Sequence, residues 1–344
     1  MANNPSNPLS LRGIAFVEFS AADPAPLRKL FRDFGFSKMA RHPTKNIEYY
    51  RQAEIVFLLN SEPGSFGHRF QAAHGPSISS MGWRFADPAK AQALAISRGA
   101  EASGKGDYRS FSGGNVPAIR GIGGSLIYFV EGAESLDFVP LQDPEIVPEK
   151  GFELIDHLTN NVFKGTMEQW ANFYKNIFGF TEVRTFDIKG KKTGLKSYAL
   201  RSPCGSFCIP INEADEAKSQ INEYLAEYKG PGVQHLAFLT RDLLGSLRKL
   251  RGTSIETLDI SPGYYEKAFK RVPNVKESKH EIRELNVLVD GDDDGYLLQI
   301  FTKNLVGPIF IELIQRHNHL SFGEGNFQAL FDSIERDQEK RGVL

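Results

Sequence analysis

An α+β fold of four repeated units, paired into two open β-barrel domains and closed by a C-terminal lid helix, is what this sequence predicts. Three observations carry that prediction. A strand, helix, strand, strand pattern recurs four times along the 344 residues. The helix ends LFRDFGF and FYKNIFGF can be laid on one another, with Gly35 and Phe36 over Gly179 and Phe180, which marks an internal repeat. A stretch rich in Pro and charge, PLQDPEIVPEKG, interrupts the pattern midway and reads as a linker over 141–150. The expected organisation is a disordered lead over 1–11, one domain over 12–140, and a second over 151–344 that ends in a helix over 326–340.

Taken in order, LRGIAFVEFS alternates as a strand. Asp23 and Pro24 open the helix PAPLRKLFRDFGF, and Gly35 stops it. IEYYRQ and EIVFLLNS follow as paired strands. The second unit runs from strand SMGWRFAD through helix PAKAQALAISRGA to strand GGSLIYFVEG. The third opens with GFELIDHLTNNV, turns through helix TMEQWANFYKNIFGF, and continues in SYALRSP and SFCIPINE. The fourth comprises GVQHLAFLT, helix RDLLGSLRKLRG, GYLLQIFTK and IFIELIQ.

Composition excludes several classes. A formal net charge of -1 offers no electrostatic footprint for nucleic acid or an anionic membrane. No apolar run reaches the roughly 18 residues of a spanning helix. The polar start MANNPSNPLSLRG lacks a signal-peptide core, so a cytoplasmic location is expected. Cys204 and Cys208 are four apart, roughly 13 Å along an extended strand and too far for a disulfide. They are expected as reduced thiols.

The chemistry concentrates in one buried acid. Glu312 sits inside the apolar strand IFIELI, a costly position for a carboxylate unless something neutralises it. His157 and His235 occupy comparable strands, as Ile-Asp-His-Leu and Val-Gln-His-Leu. The spacings are 78 and 77 residues, as a repeat would give. Two imidazoles and a carboxylate on one face form a facial ligand set with open positions, the pattern of non-haem Fe(II) oxygenases. Aligning the repeats lays Glu18 over His157, Gly82 over His235 and Glu131 near Glu312, so the first half is expected to hold no metal. His317 and His319 read as a solvated loop, and His42, His68, His74 and His280 as surface residues. VDGDDDG looks like a Ca2+ loop but has Phe301 where a bidentate Glu is required, so an exposed acidic turn is expected. GIGGS precedes a strand rather than a helix, and reads as a turn.

Ser197, Asn212, Gln220, Gln234 and Gln299 offer uncharged donors and acceptors near the candidate site. Phe301, Phe310, Phe322 and Phe327 offer apolar walls. The last helix carries Phe327, Leu330, Phe331 and Ile334 on one stripe and reads as a lid that excludes water.

Together IDHLTNNV, FYKNIFGF, SPCGSFCIPINE, GVQHLAFLT, GYLLQIFTKN, GPIFIELIQR and FGEGNFQALFDSIERDQ make the chain resemble the 4-hydroxyphenylpyruvate dioxygenase family of the vicinal-oxygen-chelate superfamily, built from βαβββ modules. The resemblance implies one Fe(II) per chain on His157, His235 and Glu312. It implies a pocket for 4-hydroxyphenylpyruvate formed by Ser197, Pro210, Asn212, Gln220, Gln234, Gln299, Phe301, Phe310, Phe322, Asn326 and Phe327. The implied reaction joins substrate and O2 to give homogentisate and CO2, a step of tyrosine catabolism, in a homodimer or homotetramer. The alternatives are a 4-hydroxymandelate synthase, from which Pro210, Asn212 and Phe322 distinguish this chain, a glyoxalase-like isomerase, and a non-catalytic binding protein of the same fold.

Overall fold

The computed structural model describes residues 6–104, 106–189, 194–216 and 218–342. The first half comprises β1 (Leu11–Ser20), α1 (Ala25–Asp33), β2 (Ser37–Arg41), β3 (Ile47–Gln52), β4 (Ile55–Asn60), α2 (Phe66–His74), β5 (Ser77–Phe85), α3 (Pro88–Ser97), β6 (Ala118–Arg120), β7 (Leu126–Val130) and β8 (Val139–Glu145). The second comprises β9 (Phe152–Asn161), α4 (Met167–Phe173), β10 (Thr181–Lys189), β11 (Gly194–Arg201), β12 (Cys208–Ala214), α5 (Gln220–Glu227), β13 (Gly232–Thr240), α6 (Leu243–Leu250), α7 (Gly263–Arg271), α8 (Lys279–Glu284), β14 (Leu288–Gly291), β15 (Tyr296–Phe301), β16 (Phe310–His317) and α9 (Phe327–Arg341).

Each half builds one eight-stranded mixed sheet. The orders are β6-β7-β5-β1-β4-β3-β2-β8 and β10-β11-β12-β9-β13-β16-β15-β14. Both place the opening strand of one unit antiparallel to the opening strand of the next, β1 on β5 and β9 on β13. Among the described residues no helix is long and apolar enough to cross a membrane. The third-unit helix passes from α4 into a π-helical turn over Tyr174–Phe178, and ends at Gly179 with φ +83°. That left-handed C-cap favours glycine.

One apolar core runs through both halves. Phe34 and Phe36 meet Phe238 with ring centroids 5.7 and 6.0 Å apart. Trp83 packs on Phe178 and Phe207 at 4.8 and 5.4 Å. Two expectations change here. Half of the expected linker is strand β8, paired with β2. Part of the expected disordered lead is ordered: Leu9 is buried, and the Asn7 side chain both accepts from and donates to the Leu11 backbone. Residues 1–5 lie outside the described residues.

Register corrects the repeat alignment by two positions on the first two strands and by three on the last. In the second sheet His157 pairs with Ala237, Ala237 with Glu312, and His235 with Thr159. In the first sheet Phe16 pairs with Gly82, Gly82 with Tyr128, and Ser80 with Glu18. The counterparts of His157, His235 and Glu312 are therefore Phe16, Ser80 and Tyr128, not Glu18, Gly82 and Glu131. A shift of two preserves which face a strand residue occupies, so the alignment of Glu18 and Gly82 still looked consistent; the shift of three from Glu131 to Tyr128 changes face.

Rings fill the first half where the second has its ligands. Phe16 lies 5.6 Å from Tyr108 and 6.1 Å from Tyr128. Beside them Glu18, fully buried, accepts from Ser79, Tyr108 and Asn60. Asn60 also donates to Asp107. Burial and the Asp107 charge raise the Glu18 carboxyl from 4.5 to about 7. The folded protein then keeps a proton that the unfolded chain releases above its ordinary value. This contribution to stability is complete below about 4.5 and is lost as pH rises through about 7. Glu18→Gln should flatten that decline, by on the order of a few kcal/mol between about pH 5 and 8. Urea unfolding at both pH values checks this, and identical pH slopes in the two proteins would dismiss the buried proton.

Candidate metal centre and cavity

Three neighbouring strands each present one donor. His157 on β9 and Glu312 on β16 flank Ala237 of β13, and His235 stands two residues along β13 on the same face. His157 Nε2 lies 3.1 Å from Glu312 Oε2. His235 Nε2 lies 3.4 Å from the same oxygen and 3.4 Å from His157 Nε2. Adjacent ligands on an octahedral ion with bonds of about 2.1 Å stand about 3 Å apart, so the trio is already spaced to share one cation. All three residues are buried.

Charge supports the same reading. Burial alone would lower His157, but the Glu312 and Asp156 carboxylates outweigh it and raise the imidazole to about 9. Burial pushes Glu312 up, while the His157 imidazolium and the bonds from both histidines bring it down to about 2. Burial holds His235 below the ordinary range. The pair thus holds a positive charge beside a buried carboxylate, the place a divalent cation would take from the proton.

The other ring nitrogens are held from behind. His157 Nδ1 bonds Asp156 Oδ2 at 2.8 Å, and His235 Nδ1 donates to Gln234 Oε1 at 3.0 Å. Each bond turns Nε2 toward the cavity and sets the tautomer. Asp156 is itself gripped by Arg316 through two bonds of 2.8 Å. Sequence reasoning missed Asp156 and Arg316. The available signal was the polar residue directly before each histidine.

The donors open into a cavity of about 680 Å³, its mouth included. Of the residues expected to bind substrate, Ser197, Pro210, Asn212, Gln220, Gln234, Gln299, Phe301, Phe310, Phe322 and Phe327 line it, as do Leu330, Phe331 and Ile334 of α9. Thr159, Phe186, Ile188 and Leu195 complete the lining and were not anticipated. Asn326 lies elsewhere: its Oδ1 accepts from Tyr264 at 2.5 Å and from Arg271 at 3.3 Å, beneath the start of α9. Phe310 stacks on His235 at 4.8 Å, and Phe322 meets His157 edge-on at 5.5 Å. Gln299 Oε1 is buried without a protein partner, an acceptor awaiting a ligand. Among the described residues no Lys or Arg lines the cavity.

Other expectations are sorted by the same geometry. The acidic turn is only partly exposed. Asp290 is buried, pairs with Arg271 and accepts from Gly325 N, anchoring the approach to α9. Asp292 caps the turn by accepting from Asp294 and Gly295 N. His42 is buried, its Nδ1 accepting from Thr44 and Lys45 N. His317 bonds Glu277 at 2.9 Å rather than standing free in solvent. His74 stacks on Tyr228. Both cysteines are free thiols.

Comparison with known proteins gives full-length likenesses. Residues 5–139 match the family model "Hydroxyphenylpyruvate dioxygenase, HPPD, N-terminal". Residues 154–300 match that of the Glyoxalase/Bleomycin resistance protein/Dioxygenase superfamily. The chain is 57% identical to Protein MelA of Shewanella colwelliana, over 98% of this chain and 99% of that one. It is 44% identical to the 4-hydroxyphenylpyruvate dioxygenase of Pseudomonas aeruginosa, over 98% and 97%. A mutant of 4-hydroxymandelate synthase from Streptomyces coelicolor superposes with TM-score 0.84 at 27% identity, over 96% and 99%.

Gly323 is the sensitive point of the lid approach. Its φ is +78°, and a Cβ there would stand 2.3 Å from Gln299 Oε1. Gly323→Ala should cost the closed lid about 1–2 kcal/mol with little effect on the core. The expected readout is faster amide exchange over 323–334 at an unchanged melting temperature; unchanged exchange would refute the strain.

Proposed function

The chain belongs to the 4-hydroxyphenylpyruvate dioxygenase family, and from that premise we propose that it converts 4-hydroxyphenylpyruvate and O2 to homogentisate and CO2, using one Fe(II) held by His157, His235 and Glu312. The observation that carries the metal assignment is the trio of buried donor atoms 3.1–3.4 Å apart. Two imidazoles and one carboxylate suit Fe(II). Iron bound there would supply O2 activation, with electrons from the substrate's own keto acid.

The residues around it do the rest. No Lys or Arg is among the described lining residues, so the metal is the cation that would neutralise the substrate carboxylate there. Ser197, Asn212, Gln220, Gln234 and Gln299 supply neutral donors and acceptors for the phenol and keto oxygens. They orient the ring without trapping a charge. Phe301, Phe310, Phe322 and Phe327 wall the ring in. Leu330, Phe331 and Ile334 of α9 keep water from the reactive centre. Tyrosine catabolism and a cytoplasmic location follow from the family reading.

The synthase reading, favoured by the superposition on 4-hydroxymandelate synthase, differs in the carbon hydroxylated. Phe322, edge-on to His157, narrows the space in which the benzylic carbon would have to turn toward the metal. This favours attack on the ring. Phe322→Ile should divert part of the product to 4-hydroxymandelate, read by chromatography. A variant that makes homogentisate alone would leave Phe322 without this role.

Glu312→Ala removes the only charged ligand. It should weaken iron binding by roughly 100-fold or more and abolish both turnover and keto-acid binding. Iron titration and calorimetry on the purified variant check this; stoichiometric tight iron would reject the ligand assignment.

A further inference from the structure

We propose that Arg316 and Asp156 form a mechanical link between the loop that leads into the lid and the metal ligand His157, so that lid closure and metal binding stabilise each other. The inference rests on the metal reading above.

Arg316 spends its guanidinium in two directions. Nε and Nη2 each donate to an oxygen of Asp156 at 2.8 Å. Nη1 donates to the backbone carbonyls of His319 at 3.1 Å and Ser321 at 2.6 Å. Asp156 Oδ2, which takes the Nη2 bond, is also the oxygen bonded to His157 Nδ1 at 2.8 Å. The side chains of Asp156 and Arg316 are each only 13% exposed, so water offers poor replacement partners. A planar fork matched to a carboxylate transmits direction as well as charge. If residues 319–321 shift, the fork must tilt or release those carbonyls, and Asp156 tilts with it.

A second contact closes the loop on itself. Phe322, the residue after Ser321, lies edge-on to the His157 ring at 5.5 Å. The same segment thus holds the imidazole from its cavity side through a ring and from behind through Arg316 and Asp156. Glu312 and Arg316 share the face of β16, four residues apart, so the ligand strand itself carries the grip. Coupling between two sites is reciprocal: a metal that fixes His157 must order residues 319–326, and an ordered loop must slow metal loss. Arg316 and Asp156 are positioning residues here, since neither is itself part of the cavity lining.

The test uses the full-length protein loaded anaerobically with Fe(II), the wild type beside Asp156→Asn and Arg316→Lys. Two quantities are read: the rate of Fe(II) release to a competing chelator, and amide exchange over 319–326 before and after release. In the wild type, release should speed exchange in this segment at least threefold. Asp156→Asn keeps the shape but weakens the grip. It should lose iron about ten times faster or more, and its loop should exchange equally fast with and without iron. Arg316→Lys keeps the charge but loses the fork, and should show the same uncoupling with a smaller change in release rate. Circular dichroism and melting temperatures near wild type would establish that both variants fold. The link is overturned if the wild-type loop exchanges equally with and without iron, or if both variants keep the wild-type response. A wild-type protein that takes up no iron would overturn the metal reading itself, and the link with it.

Discussion

The cost of burying Glu312 organises the second half of the molecule. A carboxylate 3% exposed between β13 and β15 would lose on the order of several kcal/mol of hydration. Two imidazoles, one on the adjoining strand β13 and one on β9 beyond it, are what make the position tolerable. Their own burial demands fixed partners, which Asp156 and Gln234 provide, and Asp156 in turn demands Arg316. Each layer satisfies the polar groups of the one inside it, until the last bonds reach backbone carbonyls of the loop before α9. The lid approach is anchored from its other side by Tyr264, Arg271 and Asp290 through Asn326 and Gly325. A single buried charge thus sets the polar architecture from the middle of the sheet to the edge of the cavity.

The first half shows what the same framework becomes without that charge. Phe16, Ser80 and Tyr128 stand at the register positions of the three donors. Aromatic packing with Tyr108 occupies the volume that the second half leaves open. The polar residues that remain, Glu18, Asn60 and Asp107, bond one another and nearby hydroxyls. Asn60, on β4 beside β1, answers to Asn212, on β12 beside β9. One residue type at one position has been kept as internal packing in one half and as cavity lining in the other.

Much of this was legible in the sequence. Glu312 stood out as one acid in an apolar strand, and the near-equal spacing to His235 and His157 tied three residues to related strands. Lid residues followed from helical periodicity. What stayed hidden depends on pairing across the sheet, which one chain does not display. Asp156 and Arg316 are 160 residues apart and look like ordinary strand-face charges. The repeat alignment slipped by two at Glu18 and Gly82 because alternation identifies a face and not a position along it. Helices α2, α5, α7 and α8 were passed over because they fall outside the recurring strand, helix, strand, strand pattern, and none exceeds nine residues. Asn326 was grouped with the cavity through its family motif, whereas Tyr264 and Arg271 draw its amide oxygen beneath the hinge.

The filling of the first half also bears on how such a duplicated framework can change over time. To build a metal centre there, three donors would have to appear together. Phe16, Tyr108 and Tyr128 would also have to shrink, each passing through an intermediate with a hole in the first half's own apolar cluster. Every such step is penalised before any benefit arises. Specialisation of the two halves is therefore a ratchet: the second can vary its lining and its products, while the first is held to its supporting role by the rings that stand near the corresponding positions.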